Sequence, residues 1–426
     1  MPDQQPGFSR AVALHLQARG WSLGECCHCG VSFLACPPRH CCGRPDCNSV
    51  APRAVEAHRR PRFPEQVWHA VRAHFARAQF ATTNRCDLAN PAHRATRFVG
   101  AGLQVFEDGL ERGAAPPAMP LFVPQPVIRL NYWAAVGVDT ATSTSFVNLC
   151  TEHAQSSLTE FLHHLGLWMD LLGELRIRSE DMIIILRSVR WRGGPFAGPC
   201  LSVEVNGTEI GDAILIDEGG TDAAGYLPIT DFSFGLERIV AAVNPGLQYS
   251  FFLGPLPESV LPENERAIDR IRTATLMCMS GVNPSSRGHG RHLRRTVSDA
   301  LRQDSTIDFM VAISHAHGYW SQFITPLRGL QECQCLLESE RARARAIEVV
   351  RICRGENRGS NLSAASADEA CRRVVAAEGH FGSIVRCATV LSHGFATPSL
   401  TLRPRAHSSE SNDGTDHPVP ADDGAP

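Results

Sequence analysis

The chain has 426 residues, of which 43% are hydrophobic and 20% charged, and its formal net charge is -3. These values are ordinary for a soluble globular protein. They exclude a protein that binds nucleic acid through a basic surface overall, so any RNA-binding face must be a local patch. At roughly 100–200 residues per domain, the length predicts two to four domains.

The N-terminal residues contain no long apolar run, and apolar stretches such as Met182 to Leu186 are far too short to span a bilayer. We therefore expect a cytoplasmic protein with no membrane partner. Of the 16 cysteines, nearly half lie between Cys26 and Cys47. In a reducing compartment, such clustering favours metal binding over disulfide formation.

Apolar residues recur at helical spacing in the first part of the chain. The spacing predicts a short helix within residues 1–20, ending at Gly20, and a second helix over residues 64–80. Between these helices lie the cysteines, and after them residues 114–127 are rich in proline. We expect this proline-rich stretch to loop over the surface.

The cysteine spacing predicts a structural zinc site. Cys26 and Cys29 are separated by two residues, and Cys42 and Cys47 by four, so thiolates from two short loops meet in a tetrahedron around Zn²⁺. With all positions filled, the zinc is structural and stabilises a segment too small to fold alone. Buried thiols without metal are the alternative. The neighbouring residues that compete as ligands are Cys27, His28, Cys36, His40 and Cys41.

The middle of the chain predicts one helix followed by strands. The helix covers residues 157–175, and the strands read MIIILR, CLSVEV and EIGDAILI from Met182 onward. Asn206-Gly207 lies between the last two strands and is a strong signal for a hairpin, so these strands are antiparallel. After Pro245 the pattern becomes helical and rich in arginine.

Several stretches resemble archaeal-type alanyl-tRNA synthetases and occur in that family's order. The cysteine segment resembles the family's N-terminal element, and Gly109 to Arg129 ends in a QPVIR signature. The stretches WRGGPFAGPC, DFSFGLER and DRIRTATLMCMSGVNPSSRGHGRHLRR follow, starting at Trp191, Asp231 and Asp269. The similarity covers roughly residues 20–350. Each motif alone is modest, and their order makes the match specific.

The resemblance implies an α+β fold, namely the class II synthetase antiparallel sheet flanked by helices. We expect the N-terminal helix and zinc ribbon in residues 1–60 and the catalytic domain in residues 61–250. A helical tRNA-binding domain is expected in residues 251–403, and a disordered tail in residues 404–426, which are polar and rich in proline.

The resemblance also implies roles for single residues. Arg238 matches the arginine that contacts the ATP tail, and Gly235 permits close approach of the backbone. Asp231 matches the acid that receives the ammonium group of the substrate, Trp191 matches a wall that limits side-chain size, and Gly198 leaves room for a ligand. Structural alternatives are a surface arginine, a helix N-cap, a core tryptophan and a glycine-rich turn.

Arginines cluster in the last of these stretches, and the resemblance implies that they contact tRNA. Arg291, Arg294 and Arg295, together with Arg287, are expected to neutralise tRNA phosphates. The alternative is a solvated helix face.

One stretch departs from the family pattern. Residues Val136 to Leu149 fall where the family carries its motif 2, with an arginine for the α-phosphate and an acidic residue shortly after. Ala141 or Thr142 stands in the place of the arginine, and Val147 or Asn148 in that of the acid. Losing one preorganised donor to a developing charge slows a reaction on the order of 100–1000-fold.

Three functions therefore stay open. Arg129 substitutes for the missing arginine, and the chain uses ATP with Mg²⁺ to activate alanine or a similar small amino acid for transfer to tRNA. Alternatively, it is a repurposed adenylating ligase of a biosynthetic pathway, or a non-catalytic tRNA-binding paralogue. DNA is not an expected partner in any of these. The family usually continues into an editing domain, which nothing after residue 350 resembles.

Overall fold

A computed structural model of the chain describes residues 5–44, 46–47, 62–82, 87–89, 97–105, 119–138, 142–194, 196–219, 228–245, 265–303 and 307–353. These residues lie in one compact unit within Met1–Ala377. The strands are β1 (Ser22–Glu25), β2 (Ser32–Ala35), β3 (Ala81–Thr82), β4 (Leu121–Ile128), β5 (Ser145–Ala154), β6 (Met182–Leu186), β7 (Trp191–Gly193), β8 (Phe196–Gly198), β9 (Cys200–Val205), β10 (Thr208–Ile216) and β11 (Ile229–Gly235). The α-helices are α1 (Pro6–Gln17), α2 (Pro64–Arg77), α3 (Leu158–Glu174), α4 (Leu236–Val243), α5 (Glu265–Met279), α6 (Gly288–Gln303), α7 (Phe309–Trp320) and α8 (Leu330–Cys353).

Within the described residues, one mixed α+β unit is built around a 9-stranded sheet with the order β1-β2-β6-β9-β10-β11-β5-β4-β3. Its pairings are antiparallel except for the short parallel contact of β3 with β4. Strands β7 and β8 form a separate two-stranded ribbon. The α+β class and the antiparallel sheet expected from the sequence are confirmed.

The hairpin predicted at Asn206-Gly207 is present. Both residues have positive φ, 51° and 80°, as the two central positions of a type I′ turn require. The turn joins β9 to β10 in antiparallel register. The predicted strands in this region are confirmed, because all three pair side by side in the sheet.

The expectation of a surface loop over residues 114–127 is wrong for its second half, where β4 is buried along its length. Residues 114–118 lie outside the described residues. Even-numbered residues at both ends of β4 direct their backbone groups away from β5. The Pro120 carbonyl, just before the strand, accepts a hydrogen bond from the Ala81 N–H, and the Ile128 N–H donates to the Val99 carbonyl. Pro124 and Pro126 therefore lie where no N–H is needed for pairing with β5.

Helices α2 and α3 cover one face of the sheet. Helix α3 begins with a capping box in which the Ser157 hydroxyl accepts a hydrogen bond from the Glu160 N–H at 3.3 Å. Trp168 of this helix stacks on Phe234 of β11, with ring centroids 4.0 Å apart, and donates a hydrogen bond to the Thr151 hydroxyl at 2.9 Å. The predicted helix over residues 157–175 is confirmed.

Buried charges fasten the C-terminal helices to the sheet. Glu237, within the GLER stretch, is 2% exposed and pairs with Arg272 of α5. The same carboxylate accepts hydrogen bonds from the Tyr319 hydroxyl at 2.8 Å and from the Val147 N–H at 3.0 Å. This motif residue therefore joins β5, α4, α5 and α7.

A second buried network involves Arg270 of α5. It donates to Asp299 of α6 at 2.9 Å and to the carbonyl of Trp133 at 2.7 Å, and its guanidinium lies 3.6 Å from the centre of the Trp133 ring.

The described helices include none long and apolar enough to cross a membrane. The predicted tail over residues 404–426 lies outside the described residues, and the predicted domain divisions stay predictions.

Candidate active site

A cavity of about 810 Å³ opens beside the sheet, between β11, the β7–β8 ribbon and α6. Segments that are far apart in the sequence supply its walls. They are the loop around Phe98, the end of β4, the small ribbon, one residue of β11 and the first turns of α6. The lining residues are Arg97, Phe98, Gly100, Ala101, Leu103, Gln104, Ile128, Arg129, Leu130, Asn131, Trp191, Gly193, Gly194, Phe196, Asp231, Arg291, His292 and Arg295.

The cavity lies on the sheet face opposite α3. Residues alternate between the two faces of a strand, and Thr151 of β5 faces α3, where it contacts Trp168. Cys150 and Glu152 therefore face the other side. Asp231 of β11 pairs directly with Glu152 in the register and lines the cavity.

Charges of opposite sign line different parts of this cavity. The carboxylate comes from Asp231, which is 3% exposed. Exposed guanidinium groups come from Arg97, Arg291 and Arg295, and a half-buried one comes from Arg129. A ligand with a positive end and a negatively charged middle or tail would complement this distribution.

The structure brings several of the predicted site residues together. Asp231, Trp191 and Arg129 line one cavity. Arg291 and Arg295, which we expected on a tRNA surface, line the same cavity at its exposed side. Their position links the predicted RNA-binding helix directly to the predicted substrate site.

Gly198 is placed differently from these residues, because it is not among the lining residues. Its close packing has a structural reason: an added Cβ would lie 2.1 Å from the Leu215 carbonyl oxygen. Gly198 therefore allows β8 to approach the backbone of β10. In contrast, Gly193 and Gly194 do line the cavity, and Gly194 has φ +57°.

Arg238 and Gly235 border a small cleft of about 10 Å³ next to Tyr132 and Phe146. The Arg238 guanidinium donates a hydrogen bond to the Glu209 carbonyl at 2.8 Å and lies 5.6 Å from the Tyr132 ring centre. It is therefore held outside the larger cavity in this structure.

Arg129 also lies near the Tyr132 ring, with its guanidinium 5.8 Å from the ring centre. Its Nε donates to the Gly100 carbonyl at 3.0 Å, and its Nη1 donates to the Tyr132 hydroxyl at 3.2 Å. The guanidinium also lies 5.2 Å from the centre of the Phe146 ring. These contacts fix a positive charge in the cavity wall at the end of β4.

Behind Asp231 lies a cluster that the sequence analysis missed. Cys150, Glu152 and Asp231 are buried, and their potential ligand atoms lie within 4.8 Å of one another. Burial, with the nearby Asp231 charge, raises the pKa of Glu152 well above its ordinary value. Burial likewise raises the pKa of Asp231 to about 6. Half-buried Asp212 adds another acid on this face, and burial raises its pKa to about 7.

The predicted ribbon cysteines also come together. The sulfur atoms of Cys26, Cys29, Cys42 and Cys47 all lie within 4.8 Å of one another, and those of Cys29 and Cys42 are 3.8 Å apart. Tetrahedral zinc with Zn–S bonds of about 2.3 Å requires a sulfur spacing of about 3.8 Å. The donor set and its spacing therefore fit Zn²⁺.

The loops around the ribbon cysteines support this geometry. Gly30 and Gly43, which each follow a cysteine, have φ of 68° and 74°. Burial alone would raise the pKa of the Cys26 thiol, but N–H groups of Cys42 and neighbouring residues lower it to about 5. Among the competing ligands, the Cys41 sulfur lies 4.0 Å from that of Cys26 and donates a hydrogen bond to the Cys47 carbonyl at 3.4 Å.

Helix α6 separates its arginines into exposed and paired groups. Arg291 and Arg295 are exposed and lie four residues apart on one face of the helix, and exposed Arg287 directly precedes α6. Arg294 instead lies 3.4 Å from the Glu340 carboxylate of α8 and is half-buried. The position of Arg294 favours a role in helix packing, whereas exposed Arg291 and Arg295 line the cavity.

Sequence comparisons relate the chain to archaeal alanine–tRNA ligases, although no family model matches it. The enzyme of Archaeoglobus fulgidus is 25% identical over 311 residues, covering 67% of this chain and 34% of the relative. That of Methanothermobacter thermautotrophicus is 28% identical over 300 residues, covering 67% and 33%. The resemblance inferred from the motifs is confirmed, and the chain spans about a third of the length of these relatives.

Solved structures overlap with the chain only partially. The match with pyrrolysyl-tRNA synthetase from Desulfitobacterium hafniense covers 45% of this chain and 76% of the synthetase chain, with 13% identity and a TM-score of 0.31. Aspartyl-tRNA synthetase from Entamoeba histolytica covers 44% and 56%, with 12% identity and a TM-score of 0.32. The relationship to known proteins therefore rests on the sequence matches.

Proposed function

We propose that this chain binds ATP and a small amino acid in the 810 Å³ cavity, joins them as an aminoacyl-adenylate and transfers the aminoacyl group to tRNA. The observation that carries the proposal is the meeting of a buried carboxylate and several guanidinium groups in one cavity of a relative of alanine–tRNA ligases. An aminoacyl-adenylate has an ammonium group at one end and a phosphate in the middle, which matches this distribution.

The first step is the attack of an amino-acid carboxylate oxygen on the α-phosphorus of ATP. A new P–O bond forms, the bond to the bridging oxygen breaks, and pyrophosphate leaves. Asp231 positions the amino group, and Trp191 limits the size of the side chain. Arg129 faces the negative charge that develops on the phosphate oxygens, where a fixed guanidinium is most effective.

Arg129 would take the place of the arginine that the stretch Val136 to Leu149 lacks. The cavity receives a guanidinium from the end of β4, so it does not depend on an arginine at Ala141, which lies outside the described residues. At the place of the missing acid, Val147 belongs to the hydrophobic core, and Asn148 donates a hydrogen bond to the Ser233 hydroxyl at 3.4 Å. Arg238 would contact ATP from the adjoining cleft.

In the second step, a terminal hydroxyl of tRNA attacks the acyl carbon, and AMP leaves. Exposed Arg291 and Arg295 of α6 line the cavity, and exposed Arg287 directly precedes this helix; this row would contact phosphates of the incoming strand. This row supports tRNA as the acceptor over a small molecule, because a small acceptor needs no extended basic path.

The metals of this proposal have different roles. Mg²⁺ would enter with ATP and be held mainly by its phosphates, as is usual for this ion. Within the described residues, each group of three or more potential ligands contains a thiol, which Mg²⁺ does not favour. The four cysteines Cys26, Cys29, Cys42 and Cys47 would hold Zn²⁺ as a structural ion. The ion pair of Arg44 with Glu204, at 2.8 Å, would join this cysteine segment to β9.

Amino-acid-dependent ATP–pyrophosphate exchange, run separately with alanine, glycine and serine, tests the proposal. We expect exchange with at least one of them. We also expect a loss on the order of 100-fold for Arg129→Ala, and no change for Arg19→Ala, which removes a surface partner of Asp170. Absence of exchange with every small amino acid would refute adenylation. Steeply salt-dependent tRNA binding in that case would identify the tRNA-binding paralogue instead.

Charging of tRNA separates the two enzymatic alternatives. We expect radiolabelled amino acid to accumulate on tRNA, and we expect Arg291→Ala to weaken this transfer more than the exchange reaction. Exchange without any charging would favour the repurposed ligase.

A further inference from the structure

We propose that Cys150, Glu152 and Asp231 form a second zinc site, at the back of the cavity. Cys150 and Glu152 are two residues apart on β5 and therefore lie on one face of the strand. Asp231 is the direct register partner of Glu152 on β11. The sulfur and the carboxylate oxygens lie within 4.8 Å of one another.

Among the described residues, Glu152 is the member of this cluster that lacks a partner, whereas the charge of nearby Arg129 acts on Asp231. Glu152 is 1% exposed, and neither of its oxygens accepts a hydrogen bond from a donor in the described part of the chain. Asp231 accepts one from the Ser233 hydroxyl at 3.2 Å. Two carboxylates buried side by side are strongly unfavourable unless one is protonated or a cation lies between them, so a bound cation would allow both groups to ionise.

The ligand chemistry selects the type of ion. Mg²⁺ and Ca²⁺ take oxygen ligands, whereas a thiolate with carboxylates suits Zn²⁺. Bonds of about 2.3 Å to sulfur and about 2.0 Å to oxygen would bring the ligand atoms to roughly 3.3–3.5 Å from one another. Small side-chain movements from the present spacing achieve this geometry.

Of the three cluster residues, Asp231 is the one that reaches the cavity. Gly102, on a loop whose other residues line the cavity, packs against the cluster, since an added Cβ would lie 2.2 Å from the Cys150 sulfur and 3.1 Å from a Glu152 oxygen. Cys150 is fully buried, whereas Asp231 lines the cavity. Three protein ligands with a free position are typical of zinc sites that bind a substrate.

The free position faces the cavity and would take a neutral amine. This role rests on the proposed function: the amino group of the amino acid loses its proton to solvent and binds the zinc through its lone pair. Glu152 does not line the cavity, so a direct ammonium contact with both carboxylates is less favourable than an ion placed between them. The zinc site itself stands on the cluster geometry alone.

Zinc content of the purified full chain tests the site. We expect Cys150→Ala and Glu152→Gln each to lose one zinc per chain relative to wild type. Cys200→Ala removes a buried strand cysteine outside the cluster and should lose none. Unchanged zinc content in both cluster variants would overturn the proposal and indicate that the carboxyl groups share a proton.

Wild-type crystals grown with zinc chloride provide a measurement that does not depend on the folding of variants. Diffraction data collected at the zinc absorption edge should show an anomalous peak between the Cys150 sulfur and the two carboxylates. Absence of a peak there would overturn the site. Both zinc measurements are independent of pyrophosphate exchange, so failure of the proposed reaction would be recognised separately.

Discussion

Glu237 belongs to the GLER stretch, yet the structure predicts that its main contribution is to stability. The perturbation is Arg272→Leu, which leaves the Glu237 carboxylate buried without its cation. The side chains of the pair are each 3% exposed, so water cannot replace the lost partner. Removal of one member of a buried ion pair costs about 3–5 kcal/mol, and the hydrogen bonds from Tyr319 and Val147 compensate only in part.

Urea unfolding measures this effect as a fall in the free energy of unfolding. Arg302→Leu is the matched control, because Arg302 is 53% exposed in its pair with Asp299. Exposed pairs contribute at most about 1 kcal/mol. The double variant Arg272→Leu/Glu237→Leu should lose less than the sum of the single variants, since both remove the same interaction. A loss below about 1 kcal/mol in Arg272→Leu would refute the reasoning.

Three further predictions concern packing, pH and metal. Gly198→Ala should destabilise the chain by about 1–3 kcal/mol, because the new methyl group would lie 2.1 Å from the Leu215 carbonyl oxygen of β10. Gly173→Ala has nothing within 4 Å of the new methyl group and should stabilise α3 by roughly 0.5–1 kcal/mol. Equal effects of the two substitutions in thermal unfolding would contradict this. Burial and neighbouring histidines lower the pKa of His164 to about 3, so the folded state binds its proton more weakly than the unfolded chain. Stability is then lost as pH falls below about 6.5, by on the order of 2 kcal/mol at pH 5, and a His164→Leu chain with the same pH dependence would exclude this cause. Cys29→Ser should lose one zinc and lower the unfolding temperature, while Cys27→Ser, at an exposed thiol outside the predicted ligand set, should do neither; equal zinc in all three chains would exclude the ribbon site.

Local patterns predicted much of the fold. The strands around Asn206-Gly207 followed from turn chemistry and β-rich composition, and helix α3 followed from the spacing of its apolar residues. Strand β4 was missed because proline is normally unfavourable in a sheet. Pro124 and Pro126 are tolerated because their missing donors point away from β5, and only the pairing reveals that direction.

The site was predicted where motifs carried it and missed where distant segments build it. Asp231, Trp191 and Arg129 were assigned from stretches that resemble the synthetases, and they share one cavity. Glu152 gave no signal, since its proximity to Asp231 depends on the register of β5 against β11. Arg97 joins the cavity through the contact of its loop with α6, which no local pattern encodes.

The central claim is that the cavity beside Asp231 holds an aminoacyl-adenylate. A crystal structure of the chain with alanyl-sulfamoyl-adenosine, a stable analogue of that intermediate, tests it most directly. The account predicts that the amino group lies beside Asp231, directly or through a bound zinc ion, and that the sulfamoyl group lies within reach of Arg129. Binding of the analogue elsewhere, or a cavity that stays empty at saturating analogue, would contradict the account.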